Sequence, residues 1–169
     1  AAAPAVEVDP AGGEWLRRRA ADALALVGYP WRELGYDVAF GTARAGLRAR
    51  TLLRERRIEV NARPGDPARQ TAFDLAHEVA HAFDFERGTW AARSRWQQAR
   101  GIDPALAWFG CNACPDLATP AGDFAESFAA WQVPGGAFRS TLGPPPDAAQ
   151  RALLAELTAP SGAGRTLGR

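Results

Sequence analysis

The sequence predicts an α+β fold: a small, mostly antiparallel sheet, a long helix carrying His-Glu-x-x-His, and a later glutamate-bearing helix packed against it. Three observations predict it. Short segments with strand-like alternation cluster between residues 36 and 62. Helical patterns lie on both sides of that cluster, and no repeat or second apolar cluster divides the 169 residues. A chain of this length suits one domain. We place it at 14–159, between an Ala-, Pro- and Gly-rich segment at 1–13 expected to be flexible and a tail at 160–169 expected to fray.

The elements follow in order. Glu14 to Val27 reads as a helix, ended by Gly28 and Pro30. Tyr36 to Phe40, Leu47 to Leu53 and Arg57 to Ala62 read as strands; in the last, Ile58 and Val60 alternate with polar neighbours. The loop Arg63-Pro64-Gly65-Asp66-Pro67 leads into a long helix from Ala68 to Phe85. Trp90 to Arg100 is a further helix, stopped at Gly101, and residues 102–121 have the turn-rich composition of irregular chain. Ala121 to Val133 is a helix closed by Pro134-Gly135-Gly136. Asp147 caps a last helix that runs to Thr158.

The chemistry is concentrated in His77-Glu78-Val79-Ala80-His81. On a helix, positions i and i+4 share one face, so both imidazoles can meet one ion. Glu78 is rotated by about 100° from His77, beside that point, where a carboxylate can take a proton from water. The chain has two histidines in all, and both fall in this motif. Zn²⁺ is the expected ion, and a catalytic zinc takes three protein ligands and keeps one position open. With no third histidine, the third ligand is expected to be a carboxylate. Glu126 is the first choice: Phe124, Phe128 and Trp131 form an apolar stripe, and Glu126 faces away from it between Gly122 and Ala130, a small-residue face suited to close helix approach. Asp123 is the lesser alternative. Asp84, a turn beyond His81, lies too far along its helix to join both histidines on one ion. It is read as a supporting group that holds an imidazole or a neighbouring loop.

At these residues the chain resembles the gluzincin zinc metallopeptidases, and within them the catalytic domain of anthrax lethal factor and its relatives. The resemblance spans about residues 57–133 and rests on His77-Glu78-x-x-His81 with Asp84, and on Phe124-Ala125-Glu126-Ser127-Phe128. It implies a compact zincin-like fold, zinc held by His77, His81 and Glu126, and Glu78 as general base in peptide hydrolysis. Those relatives carry a tyrosine that stabilises the oxyanion; Thr119 stands at the matching position here. Tyr29, Tyr36 or Arg139 would have to replace it.

The expected function is a zinc-dependent endopeptidase acting on a peptide or protein substrate, with the strand Arg57 to Ala62 as the edge on which an extended substrate pairs. The alternative is a catalytically weak or inactive zinc-binding interaction module. All 20 cationic side chains are arginine, in a chain whose formal net charge is only +1. That balance argues against nucleic acid as partner despite the Arg-rich stretches 17–19 and 48–57. No apolar run approaches the ~20 residues of a bilayer span, and a monomer is favoured. Cys111 and Cys114 could form a disulfide, a redox pair or half a metal site; the disulfide is preferred, because no other cysteine completes a cluster. With the small-residue start Ala-Ala-Ala-Pro-Ala-Val, it suggests a secreted or cell-envelope protein after signal-peptide removal.

Overall fold

A computed structural model describes residues 3–111 and 113–159. The tail expected at 160–169 lies outside them. Four strands form one sheet: β1 (Val6–Val8), β2 (Asp37–Thr42), β3 (Ala49–Leu52) and β4 (Arg57–Ala62), in the order β1-β2-β4-β3. β1 and β4 run parallel to β2, and β3 runs antiparallel to β4. The sheet is therefore mixed rather than mostly antiparallel. Strands β2 and β4 are separated in sequence by β3, so they can lie side by side in the same direction. β4 is central, and β3 is an edge. The substrate edge expected at Arg57 to Ala62 is thus already paired on both sides.

The segment read as flexible at 1–13 contributes β1 and a 3-10 turn, Pro10–Gly12. Three residues of Val-Glu-Val are too short to show a period. What holds them is pairing with β2, with Val6 opposite Val38 and Val8 opposite Phe40.

Alternation decides which face of the sheet is covered. Val38, Phe40, Ile58 and Val60 are buried, and they point toward α1 (Gly13–Leu26) and α2 (Ala68–Arg87). α2 packs on α1 and the sheet on one side and on α4 (Pro120–Gln132) on the other. Apart from half-buried His81, every residue from Thr71 to Asp84 is buried. This explains the alanines at 72, 76, 80 and 82: a helix enclosed on several sides needs small side chains for its neighbours to approach. α3 (Trp90–Arg100) and α5 (Ala148–Leu157) close the far side. α5 starts on a full capping box, in which Asp147 accepts from the Gln150 backbone N–H at 2.8 Å and Gln150 accepts from the Asp147 N–H at 3.1 Å. These elements form a compact α+β fold with α2 at its centre.

The apolar stripe on α4 packs as its spacing predicts. Phe124 meets Phe83, Trp96 and Trp108, and Phe128 meets Tyr29 edge-on at 5.3 Å. Phe128 is fully buried. Replacing it with Ala removes most of one ring's burial and leaves a cavity on α4 beside Tyr29. The expected loss is about 3–5 kcal/mol, read from denaturant unfolding with an unchanged m-value.

Candidate metal centre

Three side chains from two elements meet at one point. His77 and His81 lie one turn apart on α2, and their Nε2 atoms are 3.0 Å apart. Asp116 Oδ2 lies 2.9 Å from His77 Nε2 and 3.3 Å from His81 Nε2. Asp116 belongs to a short 3-10 turn, Asp116–Ala118, that precedes α4. For ligand atoms about 2.0–2.1 Å from a tetrahedral ion, edges of about 3.3 Å are expected. The triangle of 2.9, 3.0 and 3.3 Å fits, and two imidazoles with one carboxylate are a donor set that can hold a metal ion. His77 is buried, whereas Asp116 is exposed, so the group opens to solvent on one side.

Electrostatics agree. Burial opposes a charge on His77, but hydrogen bonds with Asp116 and Glu126 outweigh it and push its pKa up to about 10. Burial also works to raise the Asp116 pKa, yet His77 and His81 hold that carboxyl far below the usual range. Both shifts say that the group favours positive charge at its centre.

Glu126 does not join this triangle. Its Oε1 lies 3.0 Å from His77 Nδ1, on the opposite side of the ring from Asp116. Burial tends to raise its pKa, but His77 and Arg139 more than offset that and keep it ionised. A carboxylate only accepts, so His77 Nδ1–H donates to it and Nε2–H donates to Asp116, the latter being the proton that an ion bound there would displace. The expected third ligand thus meets the Nδ1 edge of His77, and Asp116 completes the group that could hold an ion. The helix-face argument placed Glu126 inward, and it is fully buried. That argument could not tell which edge of the imidazole it would meet. Glu126 is further held by the Arg139 backbone N–H at 2.6 Å and the Arg139 guanidinium at 3.0 Å.

The other candidates are placed plainly. The Asp123 carboxylate is buried and receives Arg100, the Trp96 indole N–H and the Ser140 hydroxyl. It has no part in the metal group. Asp84 receives Arg93 at 2.9 Å and the Trp108 indole N–H at 2.7 Å, so it ties α3 and the 101–119 loop to the end of α2. Of its two expected roles, it holds a neighbouring loop. Cys111 and Cys114 are disulfide-bonded, with Cys114 two residues before Asp116. Gly122 explains why that loop can lie so close: a Cβ there would collide with the Asp116 carbonyl and carboxyl. The small residue noted on α4 makes room for a turn rather than for a helix.

Thr119 is occupied structurally. It caps α4 by accepting from the Gly122 N–H at 3.0 Å, and its hydroxyl donates to the Asp116 carbonyl at 2.9 Å. Tyr29 packs in the core between Phe83 and Phe128, and the Tyr36 hydroxyl donates to Glu86. Of the three residues that could replace the missing tyrosine, Arg139 borders the cleft.

The cleft has a volume of about 540 Å³. His77, Glu78, His81 and Asp116 line it, opposite the edge strand β3. The Thr51 hydroxyl donates to Glu78 Oε2 at 2.8 Å, joining that strand to the motif. Spacing gave no sign of Thr51 or Asp116, because both come to α2 through the path of the chain. Comparison with protein-family models, with curated proteins and with solved structures finds no match for this chain.

Two outcomes follow from this geometry. Asp116→Ala should abolish stoichiometric metal binding, whereas Glu126→Gln should weaken it about 10–100-fold, as measured by competition with a chromophoric chelator. Reducing Cys111–Cys114 should lower metal affinity more than it lowers Tm. The bond closes a loop far shorter than the 15 residues for which about 3 kcal/mol is expected, while it sits beside Asp116. Chelator competition and thermal melts with and without reductant check this.

Proposed function

We propose that the protein is a zinc-dependent endopeptidase whose metal ligands are His77, His81 and Asp116. The observation that carries the reading is the His-His-Asp triangle with Glu78 beside it in an open cleft. Two imidazoles and a carboxylate suit zinc and leave a position for water. When bound, the ion would supply Lewis acidity, favouring deprotonation of water and polarisation of a carbonyl.

The chain's own groups divide the remaining work. Glu78 takes the proton of the attacking water and returns it to the leaving amine. Thr51 holds one Glu78 oxygen at 2.8 Å, which fixes the direction of the other. Glu126, through His77 Nδ1, keeps that imidazole in the tautomer that a metal needs. Arg139 is the cation placed nearest this relay and borders the cleft, where it can face a developing oxyanion.

The edge strand supports a polypeptide as substrate. β3 pairs with β4 on one side and borders the cleft on the other, so its free backbone groups can take an added strand. The substrate edge is therefore β3 rather than Arg57 to Ala62. No helix among the described residues is long and apolar enough to cross a membrane. The disulfide suits an oxidising compartment, which supports secretion or the cell envelope.

The test is Glu78→Gln. Wild type and variant should each bind one zinc per chain. The variant should cleave an unfolded protein about 10²–10⁴-fold more slowly. If the zinc-loaded wild type leaves unfolded proteins and a mixed peptide library intact, the interaction-module reading replaces this one.

A further inference from the structure

The two ends of the cleft differ in chemistry. At one end, Arg48 and Arg139 converge on the buried Asp74 carboxylate, at 2.9 and 3.2 Å. At the other, beyond His81, stand two phenyl rings: Phe85, one turn after His81 on α2, and Phe109 of the 101–119 loop. They are 55% and 57% exposed, yet both border the cleft that holds the metal group. A half-exposed phenyl ring gains by further burial, so two beside one cleft are a standing site for an apolar group. Phe109 is also held in place. The Arg93 guanidinium carbon lies 4.9 Å from its ring centroid, and Arg93 is fixed by Asp84 at 2.9 Å.

The direction of a bound strand follows from β3. Arg48, just before β3, contacts Asp74, and Thr51 contacts Glu78 one turn further along α2. β3 and α2 thus advance in the same sense, from the charged end toward the phenyl end. A strand added antiparallel to β3, the pairing with the better hydrogen-bond geometry, runs the other way. Its N-terminal part lies at the phenyl end.

We propose that Phe85 and Phe109 form a specificity subsite for a large apolar or aromatic side chain, presented by a polypeptide substrate on the N-terminal side of the bond that is cleaved. The proposal rests on the peptidase reading and adds to it the class of substrate. Neither residue takes part in the chemical step. Their role is to bury a side chain while the substrate backbone pairs with β3.

The experiment is cleavage-site profiling of a mixed peptide library by mass spectrometry, using the zinc-loaded full chain. Phe, Tyr, Trp and Leu should be enriched within the three residues N-terminal to the cut. Two peptides are then compared, differing only in Phe or Ser at the enriched position. The ratio of their kcat/KM values should fall about tenfold in Phe109→Ala and in Phe85→Ser, with zinc content and melting temperature retained. Cleavage without apolar enrichment, enrichment confined to the C-terminal side, or an unchanged ratio in both variants overturns the subsite and leaves the peptidase reading standing. Absence of any cleavage by the zinc-loaded wild type overturns the peptidase reading, and the subsite with it.

Discussion

A fully buried carboxylate sits where α2 meets α4, and much of the molecule is arranged around keeping it ionised. An unpaired charge in such a place would cost several kcal/mol. Glu126 avoids that cost through three donors from two residues: His77 Nδ1, the Arg139 backbone N–H and the Arg139 guanidinium. Each contact constrains an element. His77 sets how α4 lies along α2. Arg139 draws the segment after α4 back over the helix interface and extends the network to Asp74. The same contacts turn His77 Nε2 toward Asp116 and His81 at the cleft.

The candidate metal group is assembled across two elements of different character. α2 is rigid and enclosed, and it supplies two donors whose spacing is a helical turn. Asp116 comes from irregular chain, which has no ladder of its own to hold it. Several local devices substitute for one. The disulfide closes the loop just upstream, Thr119 ties the Asp116 carbonyl to the start of α4, and Gly122 removes the Cβ that would push the turn away. Asp84 fixes the outer part of the loop by way of Trp108 and Arg93. A loop donor held at this many points can be as well placed as a helical one, and it leaves the site open to solvent.

The all-arginine composition has a structural counterpart. Four buried acids on α2 and α4 each receive a guanidinium from another segment: Asp74 from Arg48, Asp84 from Arg93, Asp123 from Arg100 and Glu126 from Arg139. A guanidinium offers several donors in a fixed plane, which suits a carboxylate enclosed by packing better than a single ammonium does. In the stretch that looked like a basic patch, Arg48, Arg50, Arg56 and Arg57 are likewise paired with acids.

What the sequence determined by itself was local. The pairing of His77 with His81 needs only the pitch of one helix. The strand Arg57–Ala62, the helix Trp90–Arg100 and the Asp147 cap follow from alternation, periodicity and a side chain three residues from its partner. The inward face of Glu126 was legible for the same reason, from Phe124, Phe128 and Trp131 on the other face. The tertiary structure decided whatever depends on two segments meeting. It paired Val6–Val8 with β2 and put β3 rather than β4 at the edge. It also turned Glu126 to the Nδ1 side of His77 and brought Asp116 to the Nε2 side. A helical period fixes the angle of a side chain about its own axis, but not which atom of another element lies in front of it. That is set by the crossing of α2 with α4 and the path of the loop between them, neither of which leaves a period in the sequence.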